Sequence, residues 1–93
     1  AMLLPLFISQ ESGRRAWLCD QIGAHRPDLS RWVSGDRPVP PGKCPDIERV
    51  TDGLVTCEEL RPDIHWHRVP DESWPWHPKG RPLVDVTRSA VAA

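Results

Sequence analysis

Apolar residues recur at helical spacing through the first two thirds of the chain, and glycines and prolines divide them into short segments. The clearest pattern lies in residues 14–35, where two helix-like runs flank Gly23. Their apolar positions are Trp17, Leu18, Ile22, Leu29, Trp32 and Val33. Glycine readily adopts the left-handed conformation that ends a helix, and Pro27 suits the first turn of the next one. The pattern therefore predicts a helix over residues 14–22, a tight turn, and a second helix that ends near Ser34.

Two more helices are predicted on either side of this pair. Residues 2–10 are apolar at helical spacing, and Pro5 is accommodated within a first turn. Residues 43–51 carry apolar side chains at three-residue intervals, which gives one buried stripe. The segment that precedes this stripe, residues 36–42, holds three prolines in seven positions. Because proline disfavours helix and favours polyproline geometry, this segment is predicted to be a rigid, extended connector.

A fifth short helix completes the predicted set. Thr56 is the expected N-cap, Glu59 three residues later completes a capping box, and Pro62 ends the helix. The predicted fold is therefore all-α, a domain of five short helices over residues 2–64. Residues 65–93 are expected to form an extended C-terminal arm that is only partly ordered.

Prolines and polar residues dominate the arm and interrupt every periodic pattern. One short strand is predicted from Leu83, Val84 and Val86. The arm also carries three tryptophans, namely Trp66, Trp74 and Trp76. Two interpretations of these tryptophans stay open: they cover the apolar surface of their own domain, or they dock on a second subunit as aromatic anchors do. The second of these is favoured.

The two central helices meet the physical requirements of a helix-turn-helix motif. Gly23 allows a positive φ in the turn, and Cys19, four positions earlier, is small enough for the two helices to approach closely. Leu29 and Trp32 lie three residues apart, so they anchor the second helix on one face. The pattern therefore predicts that the second helix is presented to the major groove of DNA.

Polar residues on the exposed side of that helix are the candidate DNA contacts. Arginine pairs bidentately with guanine, and aspartate accepts from the amino group of cytosine. The expected base contacts are Arg26, Pro27, Asp28 and Arg31. Residues at the edges of the motif are better placed for phosphates, which position a protein without specifying sequence. The expected phosphate contacts are Arg15, His25, Ser30, Ser34, Arg37 and Lys43.

The overall charge of the chain counts mildly against DNA binding. The formal net charge is −1, so the global basic footprint of a DNA-binding protein is absent. Residues 1–50 hold seven basic and six acidic groups, a net of +1, whereas residues 51–93 hold five basic and seven acidic groups, a net of −2. Modest affinity per copy is expected, with tight binding reached through a homodimer or higher oligomer.

Other classes of protein find little support in the sequence. Three cysteines without paired spacing do not form a disulfide framework and fit a reducing cytoplasm. Cys57, His65, His67 and His77 include zinc-type ligands, but there is no C-x-x-C pair, so neither a metal nor another cofactor is expected. No nucleophile–base arrangement or phosphate-binding glycine loop indicates an enzyme. The apolar N-terminal run is far too short to span a bilayer, and no membrane association is expected.

Three runs of residues carry a resemblance to a known family. They are SRWVSGDRPVP at 30–40, CPDIERVTDG at 44–53 and VTCEELRP at 55–62. With these runs, residues 12–64 resemble the Cro/CI-like, YdaS-type antitoxin family of prophage regulators. The resemblance implies a lambda-repressor-like domain of five helices that represses transcription from a palindromic operator, as a nucleoid-associated protein with a toxin as a further candidate partner.

The turn departs from the family pattern, because Ala24, His25 and Arg26 stand where relatives usually have Val-Ser-Gln. A different operator sequence is therefore expected. The alternative hypothesis is an antitoxin or adaptor that acts mainly by protein–protein contact through the C-terminal arm.

Overall fold

The chain folds into five short helices followed by a two-stranded antiparallel sheet, and the computed structural model describes residues 2–84. The helices are α1 (Leu4–Ser9), α2 (Arg14–Ile22), α3 (Arg26–Ser34), α4 (Cys44–Val50) and α5 (Cys57–Leu60), and the strands are β1 (Trp66–Val69) and β2 (Arg81–Val84). The five predicted helices are confirmed. The all-α prediction is wrong, since a small sheet completes the mostly helical fold.

Local signals in the sequence account for the ends of the helices. Proline occupies the first turn of α1, α3 and α4, where a missing N–H costs nothing. The capping box at α5 is present: the Thr56 hydroxyl accepts from the Glu59 amide at 3.4 Å, and the Glu59 carboxylate accepts from the Thr56 amide at 3.3 Å. Each group satisfies a backbone donor that a helix end would otherwise leave open.

The apolar core lies between the helices and draws on all five of them. Its buried residues are Leu4, Phe7, Ile8, Leu18, Cys19, Ile22, Leu29, Val39, Cys44, Ile47, Val55 and Cys57. Trp32 and Val33 pack against this cluster while half-buried. Trp17, an apolar position of the predicted pair, is exposed and contacts the core through Phe7, with ring centroids 6.2 Å apart. The inward stripe of α2 consists of its neighbours Leu18, Cys19 and Ile22 instead.

The arm beyond residue 65 is not simply extended. β1 and β2 pair from Trp66 opposite Val84 to Val69 opposite Arg81, so the prolines between them lie in the connecting loop and Pro82 alone lies on a strand. The predicted strand is found at Leu83 and Val84, whereas Val86 lies outside the described residues.

A buried carboxylate fixes the sheet to the helices. Glu48 on α4 is fully buried, and Arg68 on β1 donates to both of its oxygens at 2.6 and 2.8 Å. The Trp74 indole donates at 2.8 Å and the Cys57 amide at 3.1 Å. Burial alone raises the pKa of Glu48, but the hydrogen bonds from Arg68, Trp74 and the Cys57 amide outweigh it, so the pKa lies below its usual value. The carboxylate is therefore charged.

Arg68 is held by more than this one carboxylate. It also donates to both oxygens of Glu58, at 2.6 and 3.1 Å, and to the carbonyl of Gly80 at 3.0 Å. Hydrogen bonds from Arg68 lower the pKa of Glu58 as well. One guanidinium thus joins α4, α5, β1 and the turn before β2.

Removing the Glu48 charge is expected to destabilise the fold. Glu48→Gln removes the charge that faces the buried Arg68, which keeps Glu58 as a charged partner, so the change is expected to cost about 1–3 kcal/mol of unfolding free energy. Since the folded pKa of Glu48 is depressed, its contribution is present above the unfolded value of about 4.3 and is lost as pH falls through the folded pKa. Urea unfolding between acid and neutral pH measures both effects.

Glu11→Gln is the control for this substitution, because Glu11 pairs with Arg14 at 3.6 Å while 71% exposed. An exposed pair contributes at most about 1 kcal/mol. Equal losses in the two variants, or an acid limb of the stability curve that Glu48→Gln leaves unchanged, would contradict the assignment.

Gly53 allows the arm to pack against the helices. Its φ is +79°, and a Cβ there would overlap the backbone carbonyl oxygen of Trp76. Gly53→Ala is expected to lower the free energy of unfolding by about 1–3 kcal/mol more than its positive φ alone would, because the loop that carries Trp76 must move. Gly13→Ala is the matched control, since Gly13 has a φ of +85° but open space around its Cβ position. Thermal unfolding compares the two, and equal destabilisation would rule out the close approach.

Candidate nucleic-acid interface

Helices α2 and α3 meet at a turn of three residues. Gly23 has a φ of +67°, and a Cβ there would meet nothing within 4 Å, so the turn needs glycine for its backbone conformation and not for space. The Cys19 carbonyl accepts from the amides of Gly23 and Ala24, which ends α2. His25 then begins α3 in an extended conformation.

The residues expected to hold the two helices together lie at their contact. Cys19 and Leu29 are buried, and Trp32 is half-buried against the core. Burial raises the pKa of the Cys19 thiol, so this side chain is neutral and acts as a small packing residue. Burial also raises the pKa of Cys57, and that of Cys44 to about 12. All three thiols are thus poor metal ligands and nucleophiles.

One side of α3 is open to solvent. Its exposed residues are Arg26, Pro27, Ser30, Arg31 and Ser34, and Asp28 is half-buried beside them. Successive residues of a helix turn by about 100°. Pro27, Ser30 and Ser34 therefore lie near the middle of this band, and Arg26 and Arg31 lie at its two edges. Asp28 Oδ1 lies 3.7 Å from Arg31 Nη1, so Asp28 holds one of these two arginines.

Arg15 brings the start of α2 into contact with this band. Its Nη1 donates to the Ser30 hydroxyl at 3.0 Å. A cleft of about 340 Å³ lies at the same place, lined by Gly13, Arg15, Ala16, Arg26, Leu29 and Ser30. The structure therefore brings together two predicted phosphate contacts, Arg15 and Ser30, with the predicted base contact Arg26. The Arg15 guanidinium and the Ser30 hydroxyl, joined at this cleft, suit a phosphate oxygen.

The other predicted phosphate contacts lie at the ends of the two helices. His25 is exposed in the turn, and Arg37 is exposed beyond the end of α3. The Ser34 hydroxyl donates to the Arg31 carbonyl at 3.2 Å and accepts from the Asp36 amide. The Lys43 ammonium donates to the Ile22 carbonyl at 2.7 Å, at the opposite end of α2 from Arg15. Lys43 thus caps α2.

The three tryptophans of the arm contact their own domain. The Trp66 indole donates to the Arg61 carbonyl at 3.1 Å, and the Trp74 indole donates to Glu48. Trp76 packs edge-on against Trp74, with ring centroids 4.8 Å apart. All three are half-buried, so their use as anchors for another subunit stays a prediction.

Within residues 2–84, no three His, Cys, Asp or Glu side chains form a group that could hold a metal ion. In the same part of the chain, every helix is too short or too polar to cross a bilayer.

Comparison with known proteins defines the class of this chain. A family model described as bacterial toxin YdaS matches residues 6–69, and the chain belongs to that family. A curated relative from Escherichia coli (strain K12), named "Putative transcriptional regulator YdaS", is 44% identical over 54 residues. This match covers 58% of the chain and 55% of the relative, so the chain spans about half of the relative's length. No solved structure matches the chain.

Proposed function

We propose that this protein is a transcriptional regulator that binds DNA with α3 in the major groove. The observation that carries the proposal is the cleft of Arg15, Arg26 and Ser30 beside the open side of α3. A helix with one exposed polar band next to a cleft lined by two arginines has the two features that DNA recognition needs, one for base edges and one for the backbone. The name of the E. coli relative supports the same class of function.

The dimensions of α3 suit the major groove. An α-helix with its side chains is about 10–12 Å across, and the groove is about 12 Å wide, so α3 fits within it along its nine residues. Arg26 and Arg31 are separated by about 7.5 Å along the helix axis, roughly two base-pair steps. Each arginine pairs with the O6 and N7 edge of a guanine in this proposal, with Pro27 packed between them. Asp28 accepts from a cytosine amino group or holds Arg31 in place.

The backbone contacts are divided between the two sides of the motif. Arg15 and Ser30 bind one phosphate as a unit, because a hydrogen bond already joins them. His25, Ser34 and Arg37 flank this unit at the two ends of α3. Lys43 is left out of the proposed interface, since its ammonium is occupied at the end of α2.

Two copies on a palindromic operator complete the proposal. Each copy has a net charge of −1 and makes few phosphate contacts in this proposal. Two α3 helices that lie one turn of the DNA apart double the number of contacts. Occupation of a promoter by such a pair represses transcription by excluding polymerase, on the nucleoid in the cytoplasm.

Substitution of the two arginines tests the proposal. Arg26→Ala and Arg31→Ala are each expected to weaken specific binding by about ten- to a hundredfold, since a bidentate guanine contact contributes about 1–3 kcal/mol. Fluorescence anisotropy with DNA from upstream of the protein's own gene measures the affinity, with scrambled DNA as the reference for specificity.

Arg49→Ala is the matched control for Arg31→Ala. Arg49 pairs with Asp46 three residues earlier at 3.9 Å and is 44% exposed, much as Arg31 pairs with Asp28, but it lies on α4. Unchanged binding in both α3 variants would overturn the proposed reading face. Arg15→Ala is expected instead to weaken all sequences equally and to reduce the slope of log affinity against log salt by about 1.

A second candidate function comes from the family description, which names a toxin. If the protein arrests growth when it is overproduced in a bacterial host, dependence on the DNA-binding face identifies the cause. Arrest through DNA is expected to disappear in Arg26→Ala and to persist in Arg49→Ala, with equal protein levels checked by immunoblot. Arrest by both variants alike would favour a toxin that acts through a protein partner.

A further inference from the structure

An exposed apolar face formed by the N-terminal segment with α1, by α2 and by the loop after α4 has no role in the proposed DNA contacts. Four of the five large hydrophobic residues that are exposed within residues 2–84 belong to it. They are Leu3 at 59%, Leu6 at 54%, Trp17 at 40% and Leu54 at 42% exposure. Single exposed leucines are ordinary on a protein surface, but a contiguous group of them marks a site of interaction.

Contacts within the domain make this face continuous. Leu3 and Leu6 lie three residues apart at the start of the chain and along α1, so their side chains are neighbours. The Met2 amide donates to the Leu54 carbonyl at 2.7 Å, which places Leu54 beside them. A cleft of about 460 Å³ is lined by Trp17 and Leu54 together with Phe7 and Val50. The Arg14 guanidinium covers the buried Phe7 ring, 4.1 Å from its centroid, so one charged group lies within the face.

The face is separate from the proposed reading face. None of the residues that line its cleft belongs to α3, and Trp17 is two residues from Arg15, which places the two side chains on opposite sides of α2. The cleft is bordered by Glu11, Arg14 and Asp52. Two carboxylates there disfavour the phosphate backbone of DNA. Because groups of both signs border the cleft, its charge favours neither a strongly basic nor a strongly acidic partner.

We propose that this apolar face pairs with the same face of a second copy of the chain. A large apolar residue exposes on the order of 200 Å² when nothing covers it, so the four present about 400 Å² together. One partner in a standard interface contributes about 800 Å², of which a little more than half is nonpolar. The face therefore supplies the apolar part of a standard-sized interface.

The charges at the border are satisfied within each copy. Arg14 pairs with Glu11 at 3.6 Å and donates to the Phe7 carbonyl and to Gln10, so these two charges add nothing to a twofold pair, in which the same patch meets itself. Pairing through this face leaves both α3 helices open. The pairing agrees with the two-copy operator of the proposed function, but it is a property of the protein alone and is measured without DNA.

Analytical ultracentrifugation of the full chain tests the pairing. The protein is expected to sediment as a monomer–dimer equilibrium between micromolar and submillimolar concentrations. Leu6→Glu places a charge on the face and is expected to raise the dimer dissociation constant at least about tenfold. Leu54→Gln is expected to act in the same direction. Both residues are exposed, so the fold is expected to survive, and circular dichroism checks it.

Leu83→Glu is the matched control, since Leu83 is 41% exposed but lies on β2 outside the face. A wild-type chain that stays monomeric at every concentration would overturn the pairing, as would equal weakening by Leu6→Glu and Leu83→Glu. Arg26→Ala separates this inference from the proposed function. A dimer that persists in Arg26→Ala together with loss of DNA binding supports both, and an intact dimer with unchanged DNA binding counts against the reading face alone.

Discussion

The rest of the structure depends on one buried charge, the carboxylate of Glu48. A buried carboxylate is costly unless its partners are complete, and here Arg68, the Trp74 indole and the Cys57 amide satisfy both oxygens. These partners come from a strand, a loop and the start of α5, which have little else in common. The arm is therefore held against α4 by its hydrogen bonds to the Glu48 carboxylate. A hairpin of two short strands is only marginally stable by itself.

This constraint reaches the proposed reading face through packing. Glu48 lies next to Ile47, which is fully buried in the core with Leu18 of α2. Lys43, just before α4, donates to the last turn of α2 at the Ile22 carbonyl. Helix α3 then rests on α2 through Leu29 and through the bond between Arg15 and Ser30. The orientation of α3 thus rests on helices that the distant arm stabilises.

The sequence predicts those parts of the fold that local chemistry decides. Gly23, the capping box of Thr56 and Glu59, and proline in first turns all mark helix ends within a few residues, and the structure has its helices there. The sheet was missed because β1 and β2 pair across a proline-rich loop, and no local pattern specifies a partner so far along the chain. Glu48 was missed for the same reason, although it follows Cys44 by four positions and so falls within the buried stripe of α4.

The net charge of the chain does not predict the candidate site, because a ligand responds mainly to those charged groups that are left unpaired. Several charged groups of the second half are paired locally: Arg68 holds Glu58, Arg61 lowers the pKa of Asp63 to about 2, and Arg81 lies 3.6 Å from Asp71. Within residues 2–84, Arg15 and Arg26 form no ion pair, and they meet at the cleft beside α3. In the proposed complex, DNA meets both arginines at that cleft, whatever the sign of the total charge, because charges on the far side of the domain are screened beyond about 10 Å.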